Sequence, residues 1–176
     1  MEFNLAEGIQ ILSKTPEVIS NLLKGLPETW LKTNEGGDTW SPYDVVGHLI
    51  HGEKTDWIPR AQIILSEAED KTFVPFDRFA QFESSKGKTL EQLLTELGNV
   101  RVENIRKLQS LNITEQTLEK QGIHPEFGPV TLQQLLATWV AHDLGHINQI
   151  TRVMAKNYKV EVGPWKKYLS VLQDRK

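Results

Sequence analysis

The sequence predicts an all-α fold, a four-helix bundle, on three observations. Four long stretches carry apolar residues at helical spacing behind recognisable cap signals. What remains has room for a small hairpin of strand at most. The connection between the second and third stretches, Glu67 to Lys88, is too long for a minimal antiparallel turn and reads as a crossover.

The first stretch runs from Leu5 to Leu26, with Ile19, Leu22, Leu23 and Leu26 in helical phase. Thr15-Pro16 is expected to break or restart it, because Pro suits a first helical turn and Thr is a good cap. Gly36-Gly37-Asp38 ends a loop that contains the short segment Glu28 to Leu31. Ser41-Pro42-Tyr43-Asp44 opens the second helix with a cap, a first-turn proline and an acid. It is expected to run from Pro42 to Ser66, kinked at Pro59. The third, capped by Thr89, spans Leu90 to Leu108, with Leu90, Leu93, Leu94, Leu97, Ile105 and Leu108 on its core face. Gly122, Pro125, Gly128 and Pro129 forbid a long helix between Asn112 and Val130 and allow a short hairpin there. The fourth helix starts after Thr131 and continues to Lys156. A short C-terminal helix follows Gly163-Pro164 and carries Trp165, Tyr168, Leu169 and Leu172.

Composition narrows the function classes. At 176 residues, with no repeat, low-complexity tract or linker, the chain is read as one domain over residues 1–176. Its 20 basic and 23 acidic residues are spread evenly, and no Lys/Arg cluster offers a footprint for nucleic acid. Met1 to Leu12 lacks the pattern of a signal peptide, and no window approaches a membrane-spanning run. Cysteine is absent, so disulfides, thiolate ligands and a cysteine nucleophile are excluded. A cytoplasmic protein is the expectation, and any metal it holds must sit on nitrogen and oxygen donors.

The histidines carry the chemistry. His142 and His146 lie at i and i+4 on the fourth helix, so both rings leave one face about 5–6 Å apart at their Cβ atoms. Two imidazoles so placed can converge on one ion, while a catalytic site normally takes three protein ligands and keeps one position open. His48, on the second helix and on the stripe shared by Asp44, is a candidate third ligand; His51, one turn on, competes with it. His124 falls in the irregular Gly/Pro segment and reads as a loop residue. An isolated pair at this spacing is more often a surface or hydrogen-bonded core feature than a metal site, so spacing alone establishes only the pair. Asp44, His51 and Gln149 are candidates to orient the rings from behind. Trp57 and Arg60 are candidates for a substrate pocket, or else a core indole and a surface cation.

The sequence is similar to the DinB superfamily of bacterial proteins, in its larger DinB-like branch. The similarity rests on Trp40-Ser41-Pro42 leading into Val46-Gly47-His48-Leu49-Ile50 and Glu53, then His124-Pro125-Glu126-Phe127-Gly128, then Trp139 through Ile150, and Gly163-Pro164-Trp165. It covers Trp40 to Leu172 in order. It implies a bundle of up-down-down-up topology in which His48, His142 and His146 bind a divalent metal, zinc or nickel. It also implies a family that contains thiol-dependent S-transferases and in which dimers are common.

The expected function is therefore a metal-dependent enzyme acting on a small molecule. It is either a transferase using a low-molecular-weight thiol as co-substrate or a hydrolase, with no nucleic-acid or membrane partner and a possible homodimer. The alternative is a non-catalytic metal-binding or stress-associated helical protein, which predicts a closed four-ligand site without a pocket. Two other readings of His142-Asp143-Leu144-Gly145-His146 fare poorly. A zinc-protease motif would have Asp143 in place of Glu and lacks a downstream third histidine. A His-Asp phosphohydrolase needs further ligands, and Asp143 points about 100° away from His142, as an exposed or hydrogen-bonding residue.

Overall fold

A computed structural model describes residues 1–173. The bundle is built from α1 (Leu5–Leu23), α3 (Pro42–Thr55), α6 (Leu90–Ser110) and α8 (Leu132–Lys156), with α4 (Trp57–Leu65) extending α3. Short helices α2 (Glu28–Lys32), α5 (Ala80–Ser85) and α7 (Glu115–Leu118) lie in the connections. Strands β1 (Gln121–His124) and β2 (Gly128–Thr131) form one antiparallel hairpin, with Gln121 opposite Thr131 and His124 opposite Gly128. No described helix is long and apolar enough to cross a membrane.

Side-chain partners give the helix directions. Thr15 and Gly8 of α1 lie beside Asp143 and Val140 of α8, so those helices run together. Tyr43 bonds to the Lys88 carbonyl just before α6, while Lys54 and Glu53, later in α3, reach Glu96 and Arg101, later in α6. That pair is therefore parallel as well, which the long crossover permits. The order is up, down, down, up.

Three bundle helices open with reciprocal caps: Ser41 with Asp44, Thr89 with Gln92, and Thr131 with Gln134. Each satisfies two backbone donors that a helix start leaves unpaired. Asp44 is consumed by this role. Its Oδ2 accepts from the Ser41 amide at 2.9 Å and the Ser41 hydroxyl at 2.6 Å, so it is a cap and not a support for a histidine ring.

Two expected breaks fall elsewhere. The helix does not restart at Thr15-Pro16; α1 continues through Pro16. Pro16 has no N–H to give the Leu12 carbonyl, and the buried Arg101 of α6 donates to that carbonyl instead. The α3 interruption lies at Asp56, three residues before Pro59. Pro59 cannot bond back to Thr55, and its ring crowds that carbonyl, so the cost appears one turn upstream. The C-terminal segment is two 3₁₀ turns, Gly163–Tyr168 and Ser170–Leu172. Only Leu172 of its apolar residues is buried; Trp165 and Tyr168 are exposed.

The interior is layered. One apolar cluster joins Ile19, Leu23, Val45, Val46, Leu49, Leu97 and Ile150. A second joins Leu12, Trp57, Ile58, Leu108, Leu135 and Trp139. Between them in every bundle helix sits a buried polar residue: Thr15, Glu53, Arg101 with Asn104, and Asp143. Arg101 Nη2 donates to Glu53 at 2.7 Å and its Nη1 to Asp143 at 2.7 Å; Asn104 donates to Glu53 at 2.9 Å and the Trp139 indole does so at 3.1 Å. Asp143 thus turns inward and is fully buried, which excludes the exposed position. Burial works against its ionisation, but the His142 ring and the Arg101 guanidinium more than offset this and hold its pKa below the usual carboxylate value.

Candidate metal centre

α8 presents His142 and His146 one turn apart, and α3 brings His48 across the bundle to meet them. The Nε2 atom of His142 lies 3.1 Å from Nε2 of His48 and 3.1 Å from Nε2 of His146. Donors set 2.0–2.1 Å from a tetrahedral ion stand roughly 3.3 Å apart, so both separations suit a shared ion, and all three ligand atoms lie within 4.8 Å of one another. Among the described residues these three form the cluster of ligand-type side chains with mutual distances suited to one ion. His48 is buried, and the other two are half-buried.

Burial lowers the pKa of His48 to about 3, assisted by the charges of His146, His142, His51 and Arg78. Burial likewise lowers that of His146 to about 4, with His142 adding to it and Gln149 opposing. Both rings are therefore neutral at pH 7, with lone pairs available to a cation. Outside this cluster the rings are held unequally. His146 Nδ1 meets Gln149 Oε1 at 2.9 Å. His142 Nδ1 lies 3.9 Å from Asp143 Oδ1, beyond hydrogen-bond length but close enough to feel its charge. His48 is packed by Trp40 at 4.7 Å and by Phe76 at 5.6 Å between ring centres.

The three rings line a cavity of about 820 Å³. Trp57 is in its wall, edge-on to His142 at 5.0 Å and stacked on Trp139 at 5.7 Å. It serves as core and pocket at once, because a large indole can present one edge to each. Arg60 also lines the cavity, but it is buried and ion-paired to Asp56 at 2.5 Å, with its guanidinium over Phe73. Burial raises the pKa of that Asp56. His51 is left off the cluster, half-buried against Phe76 at 5.0 Å. Its position three residues on from His48 turns it roughly 60° around the helix.

Sequence reading passed over three contributors. His124, read as a loop residue, ends β1 and lines the cavity, stacked on Phe127 at 4.4 Å. Its Nδ1 accepts from the Glu126 and Phe127 amides. The tight hairpin turn, with Gly128 at φ +73°, is what folds it back. Arg78 and Arg152 also line the wall.

The family model described as the DinB superfamily matches residues 11–150. The chain belongs to the DinB superfamily. No curated relative matches the sequence. Among solved structures, YfiT from Bacillus subtilis aligns with a TM-score of 0.72 at 21% identity, over 89% of this chain and 93% of that one. YfiT is described as a probable metal-dependent hydrolase with an unusual four-helix bundle topology. At that identity the likeness establishes the fold, and this DinB chain shares its bundle. In this DinB protein the histidine cluster lies wholly within the matched segment, on the bundle helices α3 and α8.

Proposed function

We propose that this DinB protein is a metal-dependent enzyme acting on a small molecule, with hydrolysis as its first candidate reaction. One observation carries the reading: three imidazole nitrogens converge on the wall of an open cavity of about 820 Å³. A fourth protein ligand is not among the described residues at the cluster, which favours an open coordination position over a closed structural site. A divalent ion there supplies Lewis acidity, making a bound water or thiol nucleophilic near neutral pH. Nitrogen donors of this kind suit zinc or nickel.

The chain's own residues have separable tasks. His48, His142 and His146 hold the ion, and Gln149 fixes the His146 ring. The Arg101–Asp143 pair sets the carboxylate behind His142, while Trp40, Trp57 and Phe76 exclude water from the flanks. The YfiT description supports hydrolysis over thiol transfer. The test begins with metal analysis of the purified protein beside His48→Ala, His142→Ala and His146→Ala. Each variant is expected to lose most of its bound zinc or nickel; full occupancy in all three would sink the site. Activated aryl esters, and a thiol with an electrophilic aryl halide, then separate hydrolase from S-transferase.

A further inference from the structure

Three guanidinium groups line the cavity, and their partners differ. Arg60 is paired with Asp56. Arg152 grips Glu35 through Nε at 2.9 Å and Nη2 at 2.7 Å. Arg78, in the loop before α5, has no ion pair and no hydrogen bond among the described residues. Its guanidinium instead lies over the rings of Trp40, at 5.4 Å, and Phe79, at 5.2 Å. Stacking of this kind fixes the plane of the group and leaves its N–H edge free for a planar anion.

The position is as informative as the missing partner. Trp40, beneath the guanidinium, packs on His48 at 4.7 Å and on His146 at 6.4 Å, nearly parallel to the latter at 16°. One indole therefore separates this guanidinium from the histidine cluster. Two further acids line the cavity, Asp38 and Glu126, both exposed and neither paired with Arg78. They disfavour a multiply charged anion, and one free cation matches a monoanion.

We propose that Arg78 is a specificity residue that binds a carboxylate on the small molecule whose other end meets the His48–His142–His146 centre. This rests on the metal reading above and adds the substrate class: monoanionic carboxylic acids, in preference to neutral molecules of equal length.

The test uses cobalt(II)-loaded full-length protein and two probe series, ω-mercaptocarboxylates and the ω-mercaptoalcohols of matching chain length. Binding is read from the thiolate-to-cobalt absorption band. A charge-assisted hydrogen bond contributes about 1.5–3 kcal/mol, so the carboxylate of best length is expected to bind about 10- to 100-fold more tightly than its alcohol. Arg78→Gln is expected to bring that ratio near unity, and Arg78→Lys to retain part of it. Because Arg78 is exposed, neither change burdens the core. The same carboxylate preference in wild type and Arg78→Gln, or none at any length in wild type, would overturn the proposal. Cobalt binding that is insensitive to His48→Ala would instead remove the metal reading, and this inference with it.

Discussion

Glu35 shows what a single side chain does for the cavity rim. It accepts from Arg152 through both oxygens, and Lys156 lies 2.9 Å from its Oε1, tying the loop before α3 to the end of α8. Hydrogen bonding to Arg152 leads the causes that lower its pKa to about 2. A carboxylate depressed in the folded state stabilises fully above its unfolded value, near 4.5, and that support is lost as pH falls toward 2. Glu35→Gln should therefore destabilise the protein at pH 6 and converge with wild type near pH 2, followed by urea unfolding across that range. An equal gap at both pH values would contradict the assignment. At this scale the sequence was partly legible. The i, i+4 spacing put His142 and His146 together, and the family motif, not spacing, selected His48 over His51. Asp44 was misread although Ser41-Pro42-Tyr43-Asp44 spells a reciprocal cap. Arg101 went unnoticed, yet Leu97, Arg101, Asn104 and Leu108 follow one helical stripe, and polar residues on an apolar stripe are the signal for a buried network.

Elements were more legible than their interruptions. Caps and periodicity located all four bundle helices, because both are local. Pro16 could not be judged locally: the donor that replaces its missing N–H comes from Arg101, 89 residues away from Leu12. Docking of α5 was equally hidden. A Cβ on Gly47 of α3 would overlap Ser85 Oγ and stand 2.7 Å from Gln81 Oε1, so glycine is what lets α5 approach. Gly47→Ala should cost about 1–3 kcal/mol by overpacking. Gly98 of α6 meets nothing within 4 Å, and Gly98→Ala should stabilise by about 0.5–1 kcal/mol through helix propensity alone. Chemical denaturation of the two variants checks both signs; destabilisation by both, to the same extent, would refute the steric account.

Across the whole molecule, the polar layer divides the bundle into two apolar halves and stands directly behind His142. Arg101 is 1% exposed and shares its charge with two carboxylates that are just as buried. Removing one member of such a set leaves uncompensated charge, so Arg101→Met should cost about 3–5 kcal/mol and lower the thermal midpoint sharply. Calorimetry of the metal-free protein isolates this from any effect of bound ion. A loss under 1 kcal/mol would mean that water, rather than the guanidinium, neutralises Glu53 and Asp143.

Arg101 extends from α6 to the Leu12 carbonyl of α1, Glu53 of α3 and Asp143 of α8, so all four helices meet on one guanidinium. Synthesis from the N-terminus delivers these partners in order, and α8 comes last. Until it emerges from the ribosome, the nascent bundle holds half the counter-charge for its buried cation and one histidine of three. Arrival of α8 supplies the second carboxylate and the remaining two rings from adjacent turns. Core closure and assembly of the three-histidine cluster are thus one event, and a chain truncated before Asp143 can complete neither.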